Sequence, residues 1–196
     1  MQGGSGEPGY TNRPREAAIE RESDPQVMEP FRIGVIGDTH GYLDPAVLDL
    51  FAQVDHVIHC GDIGDPEILA ELAKIGPLTA VAGNLDQGEW ADPLPSEVSA
   101  RVSGIRFVVG HKRKRLMKRF TAGKLSDGEP KTPPELVVFG HEHQPSVFWV
   151  DTTLFLNPGS AASPYEEDEV PTVAIVETGP SGLSARFVPL RRREMA

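Results

Sequence analysis

The sequence is poor in cysteine and in long apolar runs, and each shortage excludes a class of protein. A single cysteine, Cys60, stands among 196 residues, so no intramolecular disulfide can form and a reducing, cytoplasmic location is expected. No apolar stretch approaches the roughly 20 residues of a transmembrane helix, so no membrane partner is expected. The first residues also lack the apolar core of a secretory signal.

Basic residues are outnumbered as well, with 19 Lys and Arg against 29 Asp and Glu and a formal net charge of -10. Because binding to a phosphate backbone needs a basic face, no general nucleic-acid binding is expected. Residues 1–28 contain few large aliphatic side chains, which predicts a disordered N-terminal tail. Residues 29–190 are long enough for one domain with a core, and 191–196 are predicted to form a loose C-terminal end.

What the chain does contain is a repeated pattern: a short apolar run ends in glycine, and a residue able to bind a metal follows. The residues directly after the five runs are Asp38, Asp62, Asn84, His111 and His141. His40 and His143 lie two positions beyond the first and last of them. Short runs rich in Val and Ile predict buried strands, and a glycine at the strand end allows a sharp turn.

The first three strands alternate with two predicted helices that open with Asp44-Pro45 and Asp65-Pro66, typical N-cap pairs. In the first helix, the apolar residues continue at helical spacing to Val54. Consecutive βα units predict a parallel sheet with right-handed crossovers. Neighbouring strands are predicted at Val98–Val102 and Ile105–Val109, followed by a basic helix over 112–119. Short strands are predicted from Leu136 onward.

Each motif has a structural explanation when it stands alone. A Gly-Asp turn is common after a strand, Asn84 could be a turn residue, and His111 could be an ordinary histidine. The His141-Glu142-His143 segment is the most specific piece, because two alternate histidines after a strand seldom serve structure alone. Together, five strand ends and four of the six histidines favour a metal site, and one with two metals.

The ordered set of motifs resembles the calcineurin-like metallophosphoesterase superfamily, and Asn157-Pro158-Gly159-Ser160 resembles a segment of its small, YfcE-like phosphodiesterase branch. The resemblance implies an α/β fold, a β-sandwich of two mixed sheets flanked by helices on both faces in four α/β/β/α layers. It also implies that one metal is held by Asp38, His40, Asp62 and His143. The other would be held by Asp62, Asn84, His111 and His141, with Asp62 bridging.

The implied activity is dinuclear, metal-dependent hydrolysis of small phosphodiesters, with phosphomonoesters as a further substrate class. A metal-bridging hydroxide would attack the phosphorus, with Asp62, Asn84 and His111 as catalytic residues. The mixture of carboxylate, imidazole and amide ligands suits two divalent transition-metal ions, manganese first, with iron, nickel, cobalt or zinc as alternatives. The expected partner is a small phosphoester, and a homo-oligomer is allowed. The alternative is a metal-retaining interaction scaffold of the same fold, like the retromer subunit, with weak or no catalysis.

The chain departs from the family pattern at two places. Many members carry a histidine after the Gly-Asn pair, where this chain has Leu85, so the proton donor to the leaving group is unidentified; Asp86 could orient a histidine introduced there. The third position of a family His-Gly-His triplet is Arg113. Arg113 belongs to the basic run over 112–119, which starts beside His111 and is interpreted either as a solvated helix face or as a phosphate-attracting rim. Cys60, His56 and His59 are expected to be buried strand residues, and residues 166–169 a solvated acidic loop.

Overall fold

The structure is a computed structural model that describes residues 30–125, 132–162, 170–179 and 182–190. The predictions for the tail at 1–28, the acidic run at 166–169 and the end at 191–196 therefore lie outside the described residues. Within the described ranges, none of the helices has both the length and the apolar character that crossing a bilayer requires.

Ten strands and three helices make up the described part of the chain. In chain order they are β1 Arg32–Ile36, α1 Ala46–Leu50, β2 His56–His59, α2 Pro66–Ala73, β3 Leu78–Ala80, β4 Glu97–Val102, β5 Ile105–Lys112, α3 Arg113–Thr121, β6 Leu136–Gly140, β7 Ser146–Val150, β8 Thr153–Asn157, β9 Thr172–Gly179 and β10 Gly182–Pro189.

The first sheet has the strand order β10-β9-β1-β2-β3. Strands β1, β2 and β3 are parallel, which confirms the sheet predicted from the two βα units. β9 joins β1 antiparallel and continues into the β9–β10 hairpin. Because parallel strands end at the same edge, the residues after β1, β2 and β3 all emerge at one edge of this sheet.

The second sheet has the order β4-β5-β6-β8-β7. β5, β6 and β8 are parallel, while β4 and β7 pair antiparallel at the two edges. The β5–β6 register is interrupted between Val109 and Lys112, the interval that contains His111. Such an irregularity bends the strand and redirects a side chain at its end.

Three apolar clusters define four layers. One cluster lies between the sheets and contains Ile33, Ile58, Phe107 and Val138. A second packs α1 and α2 on the outer face of the first sheet, with Phe51 and Leu72 buried. A third packs α3 on the outer face of the second sheet through Leu116. The predicted α/β/β/α arrangement is confirmed.

The ends of the helices agree with the prediction only in part. Asp65 caps α2 by accepting a hydrogen bond from the Glu67 N–H at 2.9 Å, and Asp44 accepts one from the Ala46 N–H at 2.9 Å. α1 ends at Leu50, before Val54, although the apolar spacing predicted a longer helix. Phe51 and Val54 are buried from the turn that follows, so burial alone produced the helical spacing there.

Candidate metal centre

The predicted ligands after β1, β2 and β6 have unusual backbone conformations. Five of them have positive φ angles: Asp38 (51°), His40 (47°), Asp62 (52°), His141 (75°) and His143 (57°). A non-glycine residue in this left-handed region costs on the order of 1 kcal/mol, so surrounding contacts must hold it there. Backbone hydrogen bonds do so in part, since Asp38 N–H donates to Gly61 O and His40 N–H to Asp62 O, both at 3.0 Å.

The first group of potential ligands consists of Asp38, His40 and His143, whose ligand atoms lie within 4.8 Å of one another. The His40 and His143 Nε2 atoms are 3.0 Å apart, and His143 Nε2 lies 3.4 Å from Asp38 Oδ1. At least one of the two facing nitrogens must present a lone pair, because two N–H groups would repel each other. A cation beside both nitrogens would accept both lone pairs.

The second group consists of Asp62, His111 and His141, again within 4.8 Å. His111 Nδ1 lies 2.9 Å from Cys60 O and can only donate to it, which leaves the lone pair on Nε2. In the neutral ring this buried Nε2 has no hydrogen-bond partner among the described residues, and only a second ring proton would let it donate to Asp62 Oδ2, 3.2 Å away. A buried nitrogen of this kind is available to a metal ion, which fits the predicted role of His111.

The Asp62–His111 pair shifts the titration of both groups. Burial alone would raise the pKa of Asp62, but the hydrogen bonds from His111 and the Leu85 N–H bring it down to about 2. Burial alone would lower the pKa of His111, but the hydrogen bond and charge of Asp62 raise it above its usual value. A proton on His111 therefore competes with a metal for the same lone pair.

The two groups meet at Gly140. A Cβ atom at this position would lie 2.7 Å from Asp38 Oδ2 in the first group and 3.3 Å from His111 Nδ1 in the second. The His141 N–H donates to Asp38 Oδ2 at 3.1 Å and so links the groups directly. Glycine is required here because any side chain would intrude between them.

Asn84 lies beside the second group rather than within a buried cluster. It is exposed and lines a cavity of about 230 Å³ together with His111 and Lys112. All seven predicted ligands thus lie at the same pair of sheet edges, but the metal role of each, and the bridging role of Asp62, remain predictions. The donor set of carboxylate oxygens and imidazole nitrogens fits two divalent transition metals.

The fold and this ligand pattern agree with a known family. Residues 31–180 match the model of the calcineurin-like phosphoesterase superfamily domain. The chain is 34% identical over 143 residues to a probable metallophosphoesterase of Methanocaldococcus jannaschii, covering 67% of this chain and 69% of that one. The chain belongs to the calcineurin-like phosphoesterase superfamily.

Two further similarities lie within this metallophosphoesterase family and its fold. A phosphodiesterase of Methanocaldococcus jannaschii is 26% identical over 165 residues, covering 75% of this chain and 93% of that protein. The structure of vacuolar protein sorting 29 from Cryptosporidium parvum superposes with a TM-score of 0.60 at 19% identity, covering 83% of this chain and 99% of that one. The second similarity concerns the fold alone.

Asp86 has a structural role in this superfamily member that the sequence did not reveal. Its Oδ1 accepts hydrogen bonds from the Ile63 and Gly64 N–H groups at 2.8 and 2.9 Å, and its Oδ2 accepts one from Gly83 at 2.8 Å. The buried carboxylate therefore ties the loop after β2 to the loop after β3. That Asp86 would orient a histidine introduced at position 85 stays a prediction, because Oδ2 accepts a single hydrogen bond and keeps a second lone pair.

The Asn157–Ser160 segment also supports the ligand loops. Ser160 Oγ donates to Asp38 O at 2.8 Å, and Asn157 Nδ2 lies 3.3 Å from Gly140 O. Asn157 Oδ1 accepts the Gly159 N–H at 2.9 Å, which closes a tight turn. The segment had no link to the site except family resemblance, and the structure supplies the physical link.

His59 lies buried behind the loops, as expected for a strand residue. It accepts the Gly61 N–H on Nδ1 at 3.2 Å, so Nε2 carries the proton and donates to Thr39 Oγ1 at 3.0 Å. Thr39 Oγ1 in turn donates to Ile63 O at 2.9 Å. Burial lowers the pKa of His59 to about 4, and the neutral ring joins the first two ligand loops.

Proposed function

We propose that this protein is a dinuclear metal-dependent phosphoesterase that hydrolyses small phosphodiesters, with phosphomonoesters as a further substrate class. The observation that carries the proposal is the convergence of two three-residue ligand groups at Gly140. The name of the related phosphodiesterase supports the diester class. Manganese is the proposed metal, and the single cysteine supports a cytoplasmic location.

Different residues of the chain have different roles in the proposed hydrolysis. Two divalent cations, when bound, would offset the charge of the phosphate and acidify the attacking water. Asp38, His40 and His143 would hold one cation, and Asp62, Asn84, His111 and His141 the other, with Asp62 shared. The Cys60 carbonyl fixes the His111 ring with its lone pair on Nε2. In the reaction, water oxygen bonds to phosphorus, the P–O bond to the alcohol breaks, and the alcohol oxygen takes up a proton.

The source of that last proton sets the expected substrate range. The Leu85 side chain is 60% exposed beside the site and cannot donate a proton. General-acid assistance is typically worth about 10²–10⁴ in rate. Because position 85 supplies no such assistance, the favoured substrates are phosphodiesters whose leaving alcohols are acidic.

The alternative function is an interaction scaffold of the same fold that retains metal and catalyses weakly or not at all. The similarity to vacuolar protein sorting 29 and the exposed Leu85 favour it. The ligand set favours the enzyme, because a scaffold has no need of two complete groups of ligands held in strained conformations.

The deciding experiment loads the full chain with manganese and follows hydrolysis of bis(p-nitrophenyl) phosphate with and without EDTA. The phosphoesterase proposal predicts metal-dependent release of p-nitrophenol that EDTA abolishes. Tight metal binding without turnover would favour the scaffold, and turnover unaffected by metal removal would contradict both.

A further inference from the structure

A basic groove opens beside the second ligand group. It has a volume of about 710 Å³ and lies between α3 and the loop after β6, where His141 and Glu142 line it. His141 belongs both to this groove and to the candidate metal centre. A substrate whose phosphate reaches the metal centre therefore has a continuous path into the groove.

One face of α3 forms one wall of the groove. Lys114, Met117, Lys118 and Thr121 line the groove at positions i, i+3, i+4 and i+7, the spacing of a single helix face. Lys114 and Lys118 lie about one turn apart, roughly 6 Å along the axis. The apolar part of the lining includes Met117 and Phe148.

The groove keeps an excess of positive charge. Among the described residues that line the groove, only Glu142 carries a carboxylate. It lies 3.4 Å from Arg113, which is also placed over the Phe139 ring. Lys112, Lys114 and Lys118 form no ion pair with any acidic residue in the ranges that the structure describes. Six of the 19 basic residues of this acidic chain fall within 112–119, so the positive potential is concentrated here.

This concentration of charge is unfavourable for α3 itself. The first turn carries no acidic residue, and Lys112 at the N-cap provides no side-chain hydrogen bond. Cations near a helix N-terminus and like charges one turn apart both destabilise the helix. An anion bound in the groove would offset this repulsion.

We propose that this groove binds a second anionic group of the substrate, so that the substrate class is a small phosphodiester carrying a further phosphate or carboxylate. The inference rests on the proposed function and adds to it a reason why the same site would select one class of substrate. Lys114 and Lys118 are positioned to hold the second anion while the metal centre holds the diester phosphate. Hydrolysis of the diester bond would proceed as already described.

The test compares two dinucleotides that differ by one anion, ApA and its 5′-phosphorylated form pApA. With manganese-loaded protein we expect kcat/KM to be about tenfold higher for pApA, with the preference reduced at high salt. Lys114→Ala/Lys118→Ala should bring the pApA/ApA ratio towards one, and alanine is well tolerated in a helix. The control Lys74→Ala/Lys124→Ala removes two exposed lysines outside the groove and should keep the ratio.

A binding measurement separates this inference from the proposed function. Calorimetry in EDTA should give tighter binding of pApA than of ApA to the wild-type protein, and the Lys114→Ala/Lys118→Ala variant should lose the difference. If neither dinucleotide is hydrolysed but this binding preference is present, the result supports anion binding in the groove and contradicts the proposed phosphoesterase activity. Equal binding of the two dinucleotides, or a preference that survives the groove variant, would overturn the inference.

Discussion

Asp62 connects the loops after β1 and β3 to the end of β5. Its Oδ1 accepts the Leu85 N–H at 2.8 Å, its Oδ2 faces His111 Nε2 at 3.2 Å, and its backbone carbonyl accepts the His40 N–H at 3.0 Å. Gly83 packs so closely against its carboxylate that a Cβ there would overlap it. The position of the carboxylate is therefore fixed before any metal arrives.

Replacing Asp62 with asparagine should remove at least one metal equivalent per chain and lower turnover by about 100-fold or more, because the charge that both cations are proposed to share is lost. Metal analysis together with diester hydrolysis checks this. Asp65→Asn in the same loop is the matched control, since asparagine also caps a helix well. Full metal occupancy with unchanged turnover in Asp62→Asn would contradict the shared-ligand assignment.

His59 makes a separate prediction about stability and pH. Its folded-state pKa of about 4 lies below the ordinary 6.5, so the folded protein binds fewer protons than the unfolded chain between these values. Stability from this group is fully present above pH 6.5 and is lost as pH falls towards 4, by on the order of 2 kcal/mol at pH 5.

Denaturant unfolding in EDTA from pH 7.5 to 4.5 should show this loss in the wild-type protein and a shallower decline in His59→Gln. The comparison of slopes remains valid even if His59→Gln is less stable at every pH. Parallel curves for the two proteins would mean that His59 does not titrate as described.

Leu85 predicts a steep dependence of rate on the acidity of the leaving group. A series of aryl and alkyl phosphodiesters should be cleaved in order of alcohol pKa, with aryl esters much faster, because this position supplies no proton. Leu85→Ala should leave the slope unchanged, since neither side chain can act as an acid. A shallow slope in the wild-type protein would mean that another residue protonates the leaving alcohol.

Among single residues, those directly after strand-end glycines were predictable and those that support them were not. Glycine followed by Asp38, Asp62 or His141 is visible in the chain because each motif is local. Asp86 reaches Ile63 and Gly64, more than twenty positions away, and no local pattern encodes such a contact. The left-handed backbone of the ligands was likewise not predictable from residue type.

At the scale of strands and loops, the glycines are what allow the ligand loops to approach one another. Gly140 does not have a positive φ, so its requirement is steric: a Cβ would lie 2.7 Å from Asp38 Oδ2 and 3.2 Å from Cys60 Sγ. The Cys60 thiol is itself buried, and burial raises its pKa, so it remains neutral packing between the loops.

Gly140→Ala should therefore weaken metal binding and lower the free energy of unfolding by about 1–3 kcal/mol, the usual cost of overpacking. Gly76→Ala is a matched control, because a Cβ there meets only Asp55 O at 3.9 Å. Metal titration and denaturant unfolding of both variants provide the measurement. Wild-type metal affinity in Gly140→Ala would show that the two groups are farther apart than described.

The order of the strands and helices was predicted more accurately than the residues at which they end. The spacing of apolar residues identified the strands of both sheets, because burial on both faces produces continuous Val and Ile runs. The same signal overextended α1 beyond Leu50, where Phe51 and Val54 are buried from a turn. The β5 irregularity at His111 depends on pairing with β6, so it follows from the sheet and not from the local sequence.

In the molecule as a whole, the candidate metal centre joins the two sheets. Asp38 and Asp62 follow strands of the first sheet, whereas His111 and His141 end strands of the second. The His111–Cys60 hydrogen bond and the His141–Asp38 hydrogen bond cross between them. The centre therefore depends on the sandwich as a unit.

We propose that this junction holds two cations, one in each ligand group. Metal analysis after manganese loading and dialysis is the direct test, applied to the full chain and to His143→Ala, His141→Ala and the double variant. We expect about two equivalents in the wild type, about one in each single variant and close to none in the double variant. One equivalent in the wild type, or a double variant that binds as much as either single one, would contradict two separate sites.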